Sequence, residues 1–259
     1  CVALAREAGA VILGKTVTTE FAAITPGKTV NPHDPARIPG GSSSGSAAAV
    51  ADFHVPIALG TQTIGSIVRP ATYCGALGFK PTFGTFSFSG IKPQAGAMDT
   101  LGFITRVVAD IGMFSAVLLG VDRAFDVPAP DAPPRLGLCR SPHWPKAEQS
   151  TVMVMDRAAG LVTGAGAELE DVELSADFDA VLDAQWTILL FEAARNLAHE
   201  RCTHPNLLSE RLRELLDQGL AVGYDDYTDA LDLARRCRAE IAPLFERYDA
   251  LLTPSAAGE

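Results

Sequence analysis

The sequence predicts an α/β fold, and three observations predict it. Short apolar runs at residues 55–59, 135–139 and 167–174 have the length of strands and are bounded by Gly, Pro or polar residues. Longer stretches at residues 107–119, 148–164 and 178–199 repeat apolar residues at helical spacing. The two kinds alternate, and strand–helix–strand at 135–174 is the order of αβ units feeding a sheet. With 259 residues and 47% apolar composition, the chain has ample material for one large core or two modest ones.

Composition removes several classes of function. The balance of 21 basic to 31 acidic residues gives a net charge of −10, which argues against a nucleic-acid groove or an anionic membrane surface. No apolar run approaches the ~20 residues a spanning helix needs, and no signal-peptide pattern opens the chain. Five cysteines lie scattered without CxxC spacing, which reads as reduced thiols in a cytoplasm and no metal site.

In chain order, residues 1–9 read as the end of a helix, with Val2, Leu4, Ala5 and Ala8 apolar around Arg6 and Glu7. Residues 10–13 read as a buried strand. The stretch from Gly9 to Thr16 also fits the phosphate-loop pattern GxxxxGK[ST]. That loop needs its strand before the first glycine, whereas here the strand lies between the glycines, so Lys15 is set aside as a phosphate ligand. Residues 25–39 form a surface loop in which His33 is a solvated histidine. Ala47 to Ala51 is a run of helix formers, and the strand at 55–59 closes at Gly60. Residues 61–65 make a turn, and Ser66 starts or precedes a helix with Pro70 in its first turn. Two loop-to-helix junctions thus lie close in sequence, each with free backbone N–H groups suited to an anion or to the oxyanion of acyl transfer. Cys74 reads as a small buried hydrophobe.

Residues 87–93 are a turn region, and the helix at 107–119 closes at Gly120. The Pro/Asp-rich connector at 122–134 is the best internal boundary. Beyond it come the strand at 135–139, the helix at 148–164, the strand at 167–174 and the helix at 178–199. Amphipathic helices follow at 206–216 and 225–245. Glu192, Arg195, His199, Glu200 and Arg201 lie at helical spacing and read as a solvated, ion-paired face.

The run GGSSSGSAAAVA from Gly40, followed by GTQTIGSIVRPATYCGALGFKPT from Gly60, resembles the core of the amidase signature family. The likeness continues into Met98-Asp99-Thr100-Leu101-Gly102 and into Thr105-Arg106-Val107-Val108-Ala109-Asp110. It is loose across the helical middle and returns at 248–256, where YDALLTPS is similar to a late strand of the family. The resemblance implies an α/β fold with a mixed β-sheet core sandwiched by helices. It implies one amidase domain over 1–259, with 1–123 as catalytic core and 124–259 as a helix-rich portion returning to the sheet.

The resemblance also implies a Ser–cis-Ser–Lys triad. Ser66 takes the place of the nucleophile, and Ser42 that of the bridging serine on a cis peptide bond with Gly41. The amides of Thr63, Ile64, Gly65 and Ser66 take the place of the oxyanion hole. Gly41, Ser43, Thr61 and Arg69 fall at substrate-binding positions. A serine hydroxyl needs a base to become a nucleophile, and a lysine serves only when burial holds it neutral. Lys15, Lys28, Lys80, Lys92 and Lys146 are the lysines present, and none matches the family's catalytic motif. The base is therefore expected upstream of residue 1, and both ends of the chain look truncated.

Arg69, three residues after Ser66, has the spacing of malonamidase-like and general bacterial amidases. It reads either as a carboxylate ligand or as a structural arginine at a helix N-terminus. Ile64 stands where many members carry glycine, and a β-branched residue is strained there if the position needs φ > 0. The implied function is hydrolysis of a small-molecule carboxylic amide through a Ser66 acyl-enzyme, with no cofactor, no nucleic-acid or membrane partner, and a homodimer left open. The alternatives are the A subunit of a Glu-tRNA(Gln)/Asp-tRNA(Asn) amidotransferase and a non-catalytic protein keeping the fold.

Overall fold

The computed structural model describes residues 1–122, 125 and 132–258. They form two compact units, one of Cys1–Val127 with Leu189–Ala221 and one of Pro128–Ile188 with Val222–Glu259.

The first unit opens with α1 (Val2–Glu7), α2 (Ser44–Ala51), β1 (Ile57–Gln62), α3 (Val68–Tyr73), β2 (Leu77–Phe79), β3 (Thr100–Thr105) and α4 (Val108–Leu119). Its strands make an antiparallel sheet of order β1-β3-β2. Ile57 faces Thr105 and Gln62 faces Thr100 at the two ends of the β1–β3 ladder, while Leu77 also faces Thr105 from the other side. Side chains along a strand alternate between faces, and all six residues of β3 are buried. Ile104 therefore packs with Ala47, Val50, Ile67, Ala71 and Cys74, mostly from α2 and α3. Leu101 and Phe103 join the other cluster, with Ala5, Phe86, Phe114 and Leu118. The Phe103 ring lies 5.1 Å edge-on from Phe114 and 5.4 Å from Phe79. Such pairs add about 0.5–1.5 kcal/mol each beyond the area they bury. The last turn of α4 ends at Gly120, whose φ of +67° is the left-handed closure glycine accepts without strain.

The second unit is a parallel sheet. β4 (Arg135–Cys139), α5 (Gln149–Gly164) and β5 (Glu168–Val172) form a βαβ unit. α6 (Val181–Asn196) follows, its residues from Leu189 onward counted with the first unit, as are α7 (Ala198–Thr203) and α8 (Glu210–Ala221). α9 (Tyr224–Ile241), α10 (Leu244–Arg247) and β6 (Ala250–Leu252) complete the chain, with β6 parallel to β4 in the order β5-β4-β6. Cys139, Val172 and Tyr248 form the small core here. The Tyr248 hydroxyl donates to Glu170 at 3.1 Å, and Arg247 also pairs with that carboxylate.

The α/β class and the helices packed on sheets match the expectation, as do the strand at 135–139 and the helix closed at Gly120. Four expectations change. Residues 10–13 form no strand: Val11 is 84% and Leu13 73% exposed. A strand exists only where a neighbour takes its backbone hydrogen bonds, and no described strand pairs with this run. β1 runs through Gly60 to Gln62 instead of stopping at the glycine, because β3 extends the ladder to that point. β2 and β3 are not foreseen: β2 is only three residues long, and β3 is buried along its whole length, and strands buried on both faces show no alternation. The helical middle is cut differently: the run expected at 178–199 is α6 plus the start of α7, and the helix expected from 206 begins at Glu210. Most of the 122–134 connector lies outside the described residues.

Candidate active site

The site is built from two loops of the first unit. The earlier one leads into α2. Gly40 takes φ +73°, and a Cβ there would stand 2.8 Å from the Pro70 Cα, so this glycine lets the loop run against α3. The Gly41–Ser42 peptide bond is cis. The backbone groups near it are engaged. Arg69 donates to the Gly41 carbonyl through Nη2 at 2.8 Å and Nε at 3.3 Å. The Ser42 carbonyl accepts from the Thr18 hydroxyl at 2.9 Å and the Thr19 amide at 3.1 Å. The Ser43 amide donates to the Ser66 carbonyl at 3.1 Å, which sets the two loops side by side.

The four serines of this loop divide sharply. Ser43 Oγ donates to the Thr61 carbonyl at 3.3 Å, Ser44 Oγ to the Val17 carbonyl at 3.4 Å, and Ser46 Oγ to the Leu59 carbonyl at 2.7 Å. Ser42 is 3% exposed, and its Oγ is buried with no hydrogen-bond partner among the described residues. Leaving a buried hydroxyl unpaired costs about 1–3 kcal/mol. Groups in that position frequently belong to functional sites.

The later loop connects β1 to α3 and carries Ser66, which is 9% exposed. Gln62 clamps it. Gln62 Oε1 accepts from the amides of Ile67 at 2.8 Å and Val68 at 3.0 Å, and Nε2 donates to the Ile64 carbonyl at 3.3 Å. The amides of Ile64, Gly65 and Ser66 donate to no protein acceptor among the described residues. Ile64 is absent from the residues with positive φ, so a β-branched side chain sits there without strain.

Thr63 ties the same loop to β3. Its Oγ1 lies 2.7 Å from Asp99 Oδ1 and 3.1 Å from Gln94 Oε1. The other Asp99 oxygen accepts from the amides of Gln94 at 2.7 Å and Ala95 at 3.0 Å. Burial pushes the Asp99 carboxyl up from the ordinary aspartate range, and Glu192 adds to the rise. The bonds from Thr63, Gln94 and Ala95 pull the other way. Beside Asp99 and Thr100 lies a cavity of about 370 Å³ walled by Phe83, Phe86 and Phe88, and neither Ser42 nor Ser66 lines it.

Ser42, Ser43, Thr61, Ser66, Arg69 and Gly41 thus meet as one group through named bonds. The residues that sequence reasoning missed are those that hold them: Thr18, Thr19, Gln62, Gln94 and Asp99. Gln62 and Asp99 stand within the motif segments quoted above, but the sequence reading gives neither a supporting role. His33 is not merely solvated, because its Nε2 lies 2.8 Å from the Cys74 carbonyl. Cys74 is buried, and burial pushes its thiol up to about 11. Three charged residues of α6 and α7 have separate partners: Glu192 accepts from the Ala97 amide, Arg195 donates to the Phe191 carbonyl, and Glu200 pairs with Lys92. Lys15 is exposed and no helix starts after it, so the phosphate-loop pattern has no phosphate-loop geometry. Among the described residues no three His, Cys, Asp or Glu side chains group as a metal site, and no helix is long and apolar enough to cross a membrane.

The chain belongs to the amidase family, whose profile matches residues 1–259. It is 34% identical to the A subunit of the glutamyl-tRNA(Gln) amidotransferase of Geobacter sulfurreducens, over 98% of this chain and 61% of the relative. Among solved structures it is similar to an amidase, with a TM-score of 0.90 and 32% identity over 98% of this chain and 58% of that one. It is also similar to the A subunit of the glutamyl-tRNA(Gln) amidotransferase of Thermotoga maritima, with a TM-score of 0.81 and 27% identity over 99% of this chain and 60% of that one. The chain spans about 60% of the length of the curated relatives it matches.

Proposed function

We propose that the protein hydrolyses the amide of a small carboxylic acid, releasing ammonia or an amine through an acyl-enzyme on Ser66. The observation that carries this reading is the buried Ser42 hydroxyl, without a partner among the described residues, in a loop bonded to the Ser66 loop, whose Ile64, Gly65 and Ser66 amides likewise meet no described acceptor. Ser42 passes the Ser66 proton to a base, which the family resemblance assigns to a lysine upstream of residue 1. Ser66 Oγ attacks the amide carbon, and the developing oxyanion takes hydrogen bonds from the loop amides of residues 63–66. The proton returns to the leaving nitrogen, and water then releases the acid by the reverse path.

Arg69 fits a substrate carboxylate on this reading. Its Nε and Nη2 are spent on the Gly41 carbonyl, while Nη1 donates to no protein acceptor among the described residues. One guanidinium edge therefore supports the cis-peptide loop and the other faces outward for an anion. Gly41, Ser43 and Thr61 complete the pocket wall.

Fluorophosphonate labelling of the natural full-length protein tests the proposal, with Ser66→Ala as control. Adduct on Ser66, lost in the variant, is the expected result. A folded protein that takes no adduct defeats the assignment. A second reading, the A subunit of a tRNA-dependent amidotransferase, is favoured by the names of the curated relatives. The Ser66–Arg69 spacing weighs against it. Ammonia release from glutamine only in the presence of partner subunits would select it over a free-standing amidase.

A further inference from the structure

The loop of residues 63–66 has to keep its amides aimed while those of Ile64, Gly65 and Ser66 donate to no acceptor among the described residues. We propose that the Thr63–Asp99 side-chain pair is the anchor that holds this loop in its acyl-transfer geometry, making both positioning residues; the inference rests on the reading of these amides as an oxyanion hole. The register explains the placement. Gln62 and Thr100 are the last backbone pair of the β1–β3 ladder, and the next pair in the same register is Thr63 with Asp99. There the backbone ladder has ended, and a side-chain bond of 2.7 Å continues it for one more step.

The anchor is itself fixed. Asp99 Oδ2 is held by the Gln94 and Ala95 amides, and the Gln94 carbonyl accepts from Asn196 Nδ2 at 3.1 Å. Gln62 and Thr63, on opposite faces of the strand end, therefore grip the loop from its two sides. Gln62 secures the exit into α3 and Thr63 secures the entrance. A hydroxyl on a carboxyl held at both oxygens is a stiff link, because neither partner can rotate without losing a buried bond. Removing it leaves the substrate pocket unchanged and loosens only the amides that meet the transition state.

The test uses the natural full-length protein with Thr63→Val, Thr63→Ser and Asp99→Asn. Valine is near-isosteric and removes only the hydroxyl. Asparagine keeps one acceptor oxygen for the two backbone amides and meets Thr63 Oγ1 only as a donor, which reverses the bond and leaves the hydroxyl proton to Gln94 Oε1. In folded Thr63→Val, the rate of fluorophosphonate adduct on Ser66 and kcat should fall about ten- to a hundredfold, within the loss of one oxyanion donor. KM should stay within about twofold, as for an interaction made only in the transition state. Thr63→Ser should recover most of the rate, and Asp99→Asn, with the bond reversed, should lose less than Thr63→Val. Labelling of Thr63→Val at the wild-type rate overturns the proposal, as does a Thr63→Ser variant as slow as the valine. Wild-type protein that takes no adduct sinks the hydrolase reading instead. The anchor is then judged by amide hydrogen exchange over residues 63–66: faster exchange in Thr63→Val alone supports it, and unchanged exchange overturns it.

Discussion

The Ser42 loop and the Ser66 loop are held in opposite ways. Around Ser42 the backbone is occupied, by Arg69, Thr18, Thr19 and Ser66, and the side chain is left without a partner among the described residues. Around Ser66 the amides are left open, and the flanking side chains of Gln62 and Thr63 carry the load. In each loop the groups that reagents would meet are the ones the fold does not use. The contrast separates chemistry from support, so substitutions in the two loops should have different signatures.

Ser42→Ala carries the largest expected effect. It removes a buried hydroxyl that bonds to nothing described, so thermal stability should hold or rise slightly. Amide hydrolysis should fall about 10²- to 10⁴-fold, the range of a lost proton-transfer group. Melting curves beside turnover would break the comparison if the variant lost stability and kept activity. Gln62→Ala should do the reverse in kind. It strips the acceptor from the Ile67 and Val68 amides, costing about 1–3 kcal/mol of stability for a buried amide left unpaired. Denaturant titration should show that loss, with Gln62→Glu, which keeps an acceptor oxygen, recovering much of it.

Arg69→Met sharpens the contrast at one residue with two edges. Loss of the Gly41 contact should slow all substrates alike, and loss of the outward edge should raise KM for amides that bear a second carboxylate by about tenfold more than for neutral ones. Equal changes in both series would assign Arg69 to support alone. The smallest effect lies in the parallel sheet. Bonds from Tyr248 and Arg247 hold the Glu170 carboxyl below its ordinary value. A depressed carboxylate adds stability that is complete above the unfolded value of 4.5 and is lost as pH falls through the lower folded value. Wild type and Glu170→Gln should therefore differ in Tm at neutral pH and converge in acid, with Ser66 labelling unchanged. A gap that persists in acid would remove the carboxylate as its cause.

Much of this was legible in the residues. The family resemblance of the stretch from Gly40 to Thr82 singled out Ser42, Ser66 and Arg69 as candidates, and the closing Gly120 marked a helix end. Local periodicity and turn chemistry suffice for a feature such as the Gly120 helix end, because it depends on residues a few positions apart. What the sequence left open concerns partners distant along the chain. Residues 10–13 have the composition of a strand, yet strand formation needs a neighbour to accept the backbone bonds. β3 gave no alternating signal because both its faces are buried. The Thr63–Asp99 link, the Gln62 clamp and the Ser43–Ser66 contact join residues that only sheet register and helix packing bring together. The sequence by itself determined which hydroxyls and amides the two loops carry. The tertiary structure decided which of them are consumed in holding the loops and which remain free, because a hydroxyl or amide is spent or spared only by the partner folded against it.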